Sequence, residues 1–109
     1  QNNSSMVGSL AQEILEHFRA DVLFFSCCGV SATGLVTEAN EETAAMKKMM
    51  LRNAKKRILL CDSTKMNQEY FCKSCNVEEI DAIVTDRTPE PALLAALEQK
   101  TRVVYPQPD

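Results

Sequence analysis

Apolar and polar positions along the chain switch between two periods. Leu10, Ile14, Leu15 and Phe18 recur at helical steps, with Gln12, Glu13 and Glu16 on other faces, which predicts a helix over residues 9–19. A continuous apolar run, DVLFFSCC, follows and ends at Gly29. It is too short for a helix core and suits a strand buried on both faces. Gly29 and Gly34 bracket GVSATG, which reads as a turn-rich loop. A long helix is predicted over residues 40–55, with Asn40 as N-cap and Glu41 and Glu42 in its first turn. Lys47, Lys48, Arg52, Lys55 and Lys56 fill the later turns; acids first and bases last suit the helix dipole and read as a solvated face. Met46, Met49 and Met50 read as core filler on the same helix.

RILLC (57–61) reads as a second buried strand running straight into DSTK, and the mixed stretch 66–75 as a short helix. IDAIVT (80–85) is a third strand. Pro89 and Pro91 open a helix reaching about Lys100, because proline is tolerated in a first turn. RVVY (102–105) is a last short strand, stopped by Pro106. Strands alternating with helices imply parallel βαβ units and an α/β layered fold. There is no internal repeat.

Length and charge narrow the possibilities. At 109 residues, with 45% hydrophobic and 25% charged positions, the chain is one globular α/β unit and not a disordered tail or low-complexity linker. No apolar run nears the roughly 18 residues that cross a bilayer, and QNNSSMVGS carries no secretory signal. No membrane role is expected. Twelve basic against fifteen acidic residues give a net charge of −3, unfavourable for binding nucleic acid through this chain alone. Cys27, Cys28, Cys61, Cys72 and Cys75 are odd in number, and three lie in or beside apolar runs. They read as free thiols in a reducing, cytoplasmic setting. Cys72 and Cys75 have a spacing found among zinc ligands, but Cys27 and Cys28 are adjacent and His17 lies in a predicted helix, so no metal is expected.

Ligands of open parallel sheets bind beyond the carboxyl ends of the strands. The first three predicted strands deliver there Cys27, Cys28 and Gly29, then Asp62, Ser63, Thr64 and Lys65, then Thr85 and Asp86. Lys65 is a mobile cation suited to a phosphate or carboxylate. Asp62 can accept from sugar hydroxyls or fix Lys65, while Ser63 and Thr64 can donate or accept. The same residues also make an ordinary turn and helix cap. Thr85 and Asp86, before Arg87-Thr88-Pro89, read first as turn and capping chemistry.

Four stretches together resemble the C-terminal effector-sensing domain of DeoR-type bacterial transcriptional repressors: SMVGSLA with FRADVLFFSCCGV, GLVTEANEETAAMKKMM, ILLCDSTK and IDAIVTDRTPEP. They occur in the family's order and span almost the whole chain. The resemblance implies a Rossmann-like three-layer fold with a mainly parallel sheet, shared with ribose-5-phosphate isomerase. It implies a repressor of a sugar-utilisation operon whose sensor binds a phosphorylated sugar, with no cofactor and no catalysis. Operator DNA would be bound by an N-terminal helix-turn-helix domain, and the protein would be a homo-oligomer. Carried over by position, the effector-binding residues are Gly29, Asp62, Ser63 and Lys65, with Glu42 as a further candidate.

Two departures stand out. The family's Gly-Ala-Ser-Gly is here Ser26-Cys27-Cys28-Gly29, and the phosphate-cradling Gly-Thr-Thr-Thr loop is missing, as is the helix-turn-helix. The expectation is therefore that residues 1–109 are the C-terminal part of a sensor domain, itself incomplete. The competing readings are a ribose-5-phosphate-type isomerase and an oligomerisation module. The isomerase needs acids after DVLFFSCC, where this chain has Cys27, Cys28, Gly29, Val30 and Ser31.

Overall fold

A computed structural model describes residue 13 and residues 19–107; the predicted helix over residues 9–19 lies almost wholly outside them. Four strands, β1 (Ala20–Phe25), β4 (Ala54–Leu60), β6 (Ala82–Val84) and β7 (Arg102–Val104), form a parallel sheet in the order β1-β4-β6-β7. A smaller antiparallel sheet has the order β2-β3-β5, from β2 (Gly29–Val30), β3 (Leu35–Glu38) and β5 (Cys72–Asn76). Two α-helices, α1 (Glu41–Arg52) and α2 (Pro91–Glu98), and two 3-10 turns, Ser63–Lys65 and Val77–Glu79, complete the elements whose bounds are described. The fold is α/β with a mainly parallel main sheet, as the alternating pattern implies.

The core lies on one face of the main sheet. Leu23, Phe25, Leu59, Ile83 and Val103 point from it into a cluster with Val30 and Val36 of the small sheet, Leu51 of α1, and Leu93 and Leu97 of α2. On the other face Val22, Phe24, Leu60 and Val104 are exposed. β1 therefore alternates instead of being buried on both faces, because period-two side chains place Leu23 and Phe25 inward and Val22 and Phe24 outward.

The helix over 40–55 is real but shorter. Asn40 caps it, its Oδ1 accepting from Thr43 N–H at 2.8 Å, an interaction worth about 1 kcal/mol. Lys55 and Lys56 belong to β4, not to a solvated helix face. Lys47 turns inward to pair with Glu38. Met50 packs against the core, whereas Met46 and Met49 are only half-buried. Beyond the helix, the Arg57 guanidinium donates to the carbonyls of Leu51 at 2.7 Å and Glu79 at 2.8 Å, tying α1 to the turn before β6.

Within GVSATG the turn expected between the two glycines is present at residues 31–34, but Gly29–Val30 is strand β2, so the segment is one arm and the turn of a β-hairpin with β3. Ser31 and Leu35 close it through Ser31 N–H to Leu35 O at 2.9 Å and Leu35 N–H to Ser31 Oγ at 3.0 Å. Gly34 turns the corner at φ 90°, in the left-handed region that favours glycine. Residues 66–75 form no helix: Met66 makes a parallel bridge to Val30, and Cys72–Asn76 becomes β5 by pairing with β3. That pairing joins segments more than thirty residues apart, which local periodicity cannot register. Helix α2 starts as expected, with Pro91 at its first turn and Glu90 accepting from Leu93 N–H at 3.1 Å. Among the described residues, no helix is long and apolar enough to cross a membrane.

Candidate functional site

The carboxyl ends of β1, β4 and β6 open onto one cavity of about 440 Å³, lined by Ser26, Cys61, Asp62, Lys65, Thr85 and Asp86 with Leu60 and Val84. Each strand stops where its apolar run meets a polar residue, so the sheet itself gathers these groups on one rim.

After β4 the chain enters a single 3-10 turn, Ser63–Lys65, capped by Asp62. Asp62 Oδ1 accepts from the Thr64 N–H at 2.9 Å and also from the Thr64 hydroxyl. The Thr64 hydroxyl holds the Asp62 carboxyl below its ordinary value, helped by the Thr64 N–H and the Lys65 charge. Asp86, at the end of β6, reaches across and accepts from Ser63 N–H at 2.7 Å through Oδ1. Asp86 therefore does more than cap a local turn, linking β6 to the turn after β4, while Thr85 N–H bonds Val104 O at 2.9 Å; both residues line the cavity. Both carboxylates use Oδ1 in these bonds, which leaves Oδ2 of each to accept from a ligand.

Thr85 carries the least expected feature. It is buried within the cavity wall, and its hydroxyl has no hydrogen-bond partner among the described residues. A buried unpaired hydroxyl costs about 1–3 kcal/mol.

Beside the cavity is an ion pair that the sequence reading missed. Glu38, at the end of β3, is fully buried and meets Lys47 Nζ at 3.0 Å; the same Nζ donates to Ser26 O at 2.5 Å. Lys47 thus fixes the segment leaving β1, where the cavity begins. The available signal was an acid closing the strand LVTE with a lysine nine residues on, in the second turn of the helix that follows.

The structure brings together only part of the expected site. Asp62 and Lys65 line the cavity, and Ser63 borders a neighbouring one of about 390 Å³ with Arg87, Thr88 and Glu90. Gly29 lines neither; a Cβ there would stand 2.6 Å from Gln68 O, so the residue is required for close backbone approach between β2 and the 66–71 segment. Glu42 is exposed in the first turn of α1 and borders neither cavity. Among the described residues, no group of three or more His, Cys, Asp or Glu could hold a metal ion.

The carboxyl ends of three strands of the parallel sheet thus border one open cavity, with polar groups from each strand end on its rim. The DeoR C-terminal sensor domain family model matches residues 1–87, and the chain belongs to that family. The chain is 30% identical over 92% of its length to "Uncharacterized HTH-type transcriptional regulator YulB" of Bacillus subtilis, covering 39% of that protein. It is 29% identical over 99% of its length to the HTH-type transcriptional repressor CsqR of Escherichia coli, covering 42%. To the lactose phosphotransferase system repressor of Staphylococcus aureus it is 33% identical over 75% of its length, covering 32%. It therefore spans roughly a third to two fifths of these relatives. The family and these relatives are transcriptional regulators and not enzymes, which sets the isomerase reading aside.

Proposed function

We propose that this chain is the effector-sensing part of a repressor of a sugar-metabolism operon, and that its effector is a phosphorylated sugar. The observation that carries this reading is the meeting of two carboxylates, one lysine and Thr85 at the carboxyl rim of a parallel sheet. Carboxylate and hydroxyl oxygens recognise a polyol through its hydroxyl groups. Asp62 and Asp86 accept from sugar hydroxyls, Thr85 donates or accepts, and Lys65 neutralises the phosphate. With two carboxylates against one ammonium, this rim favours the hydroxyl-bearing end of the ligand, and a complete phosphate cradle is supplied from outside it. Ser63 adds a hydroxyl at the border with the neighbouring cavity. Gly29 serves by geometry, and Glu42 acts, if on a ligand, only from the neighbouring surface.

The relatives' names support the same reading: several are repressors, and one group is named for a lactose phosphotransferase system. In this reading residues 1–109 are the C-terminal part of the sensor. Operator DNA is bound through an N-terminal helix-turn-helix outside these residues, the regulator is a cytoplasmic homo-oligomer, and no cofactor takes part. Calorimetric titration of the full-length regulator with a panel of sugar phosphates tests it. One of them should release heat and change operator affinity, and Lys65→Ala should weaken that binding tenfold or more while operator binding without effector is kept. Silence across the panel overturns the reading, and equal effector affinity in the variant removes Lys65 from the site.

A further inference from the structure

The cavity wall holds two cysteines that the reading above does not use. Cys27 lies two residues beyond Phe25, and Cys61 lies two residues beyond Leu59; Phe25 and Leu59 are register partners on the adjacent parallel strands β1 and β4. Continuing that register sets Cys27 opposite Cys61 on the covered face, where both are buried. Neighbouring strands run about 4.8 Å apart, within the roughly 4.4–6.8 Å Cα separation that a disulfide accepts. The two sulfurs influence each other's titration, and the Cys61 thiol donates to Asp62 O at 3.6 Å. Cys61 lines the open cavity, while Cys27 lies behind it.

We propose that Cys27 and Cys61 form a reversible dithiol–disulfide pair, oxidised by a small hydroperoxide that enters through the cavity. Cys61 is the attacking sulfur and Cys27 the resolving one. The exposure of Cys61 to the cavity sets the order; contact with Cys27 also lowers the Cys61 thiol from its ordinary value, against burial and the Asp62 charge, while the same contact and burial raise Cys27. The Cys61 thiolate attacks one peroxide oxygen and the O–O bond breaks. Cys61 becomes a sulfenic acid, and the departing hydroxide takes a proton to become water. Cys27 then attacks the Cys61 sulfur; the S–O bond breaks, and the hydroxyl leaves with the Cys27 proton as a second water. Two thiols and one hydrogen peroxide give one disulfide and two waters. Intracellular disulfides of this kind are characteristically transient and redox-sensing.

The other cysteines of the chain are poor competitors. Cys72 and Cys75 are buried on β5 and do not line the cavity through which the peroxide enters. Cys28 is half-buried next to Cys27 and points from the opposite side of the backbone. The link would join the ends of β1 and β4 beside Asp62, fixing the rim in one width. The proposal stands whether or not the cavity binds a sugar phosphate.

Stoichiometric hydrogen peroxide on the full-length protein, followed by alkylation and non-reducing peptide mapping, is the test. The expected product is a single linkage joining the Cys27 and Cys61 peptides, with the loss of two hydrogens in mass, reversed by dithiothreitol. Cys28→Ser should keep the linkage, and Cys61→Ser should abolish it. The map of the unsubstituted protein decides the matter even if a variant fails to fold. Sulfinic acid at Cys61 without a cross-link, linkage to Cys28, Cys72 or Cys75, or all of these thiols still reduced would overturn the proposal.

Discussion

Removing the Lys47 ammonium should expose how the rim is held. The Glu38 side chain is 2% exposed and the Lys47 side chain 18%, so Lys47→Met leaves a buried carboxylate facing no cation. Breaking a buried pair from one side typically costs about 3–5 kcal/mol, because the remaining charge keeps its desolvation penalty. An exposed pair would cost below about 1 kcal/mol. Lys47 also donates to Ser26 O, so a further loss of about 1 kcal/mol comes from that carbonyl. Adding Glu38→Gln removes the orphaned charge, and the double variant should recover at least half of the loss. Urea unfolding followed by circular dichroism measures both, provided the denaturant slope stays constant across the set. A loss below about 1 kcal/mol for Lys47→Met, or a double variant no more stable than the single, would refute the view that Glu38 and Lys47 act as a desolvated pair.

Other perturbations separate packing from binding. Gly29→Ala places a methyl against the Gln68 backbone and should cost about 1–3 kcal/mol, read as a lowered melting temperature; an unchanged melting temperature would remove the contact from the account. Thr85→Val keeps the shape and removes the unpaired hydroxyl, so it should leave the free protein equally or more stable by up to about 1 kcal/mol while weakening effector binding; unchanged effector affinity would mean that the hydroxyl faces no ligand. The folded-state Asp62 carboxyl lies below its ordinary value of 3.8, so its stabilising contribution is complete above that pH and fades as pH falls through the lowered value. Thr64→Ala should move Asp62 back up toward 3.8, an upward step visible in a carboxyl-detected NMR titration; no movement would assign the shift to another group.

The sequence disclosed the main sheet well, and for a physical reason. β1, β4, β6 and β7 come from continuous apolar runs stopped by Gly, Asp or Pro, and the Asn40 cap and Pro91 start are local signals. The small sheet was hidden because β2 is only two residues long and β5 carries cysteine, lysine and serine; both exist through long-range pairing with β3. At the site, Asp62 and Lys65 were legible since they directly follow an apolar strand. Asp86 was half-legible, its capping chemistry foreseen but aimed at Ser63, 23 residues away. Lys47 was read as part of a solvated helix face and Glu38 was not singled out, because burial of a charge is decided by what packs over it. Gly29 was placed at the ligand because it sits in a family motif, whereas its own surroundings assign it to backbone packing.

The segment carrying Lys65 is fastened at both ends. Asp86 holds Ser63 from the main sheet, while Met66 bridges to Val30, Gln68 N–H bonds Val30 O at 3.2 Å, and Tyr70 N–H bonds the Thr37 hydroxyl at 2.9 Å on the small sheet. Lys65 therefore rides on a strut between the two sheets, not on a free loop. Any displacement of its backbone toward the cavity would pull against β2 and β3.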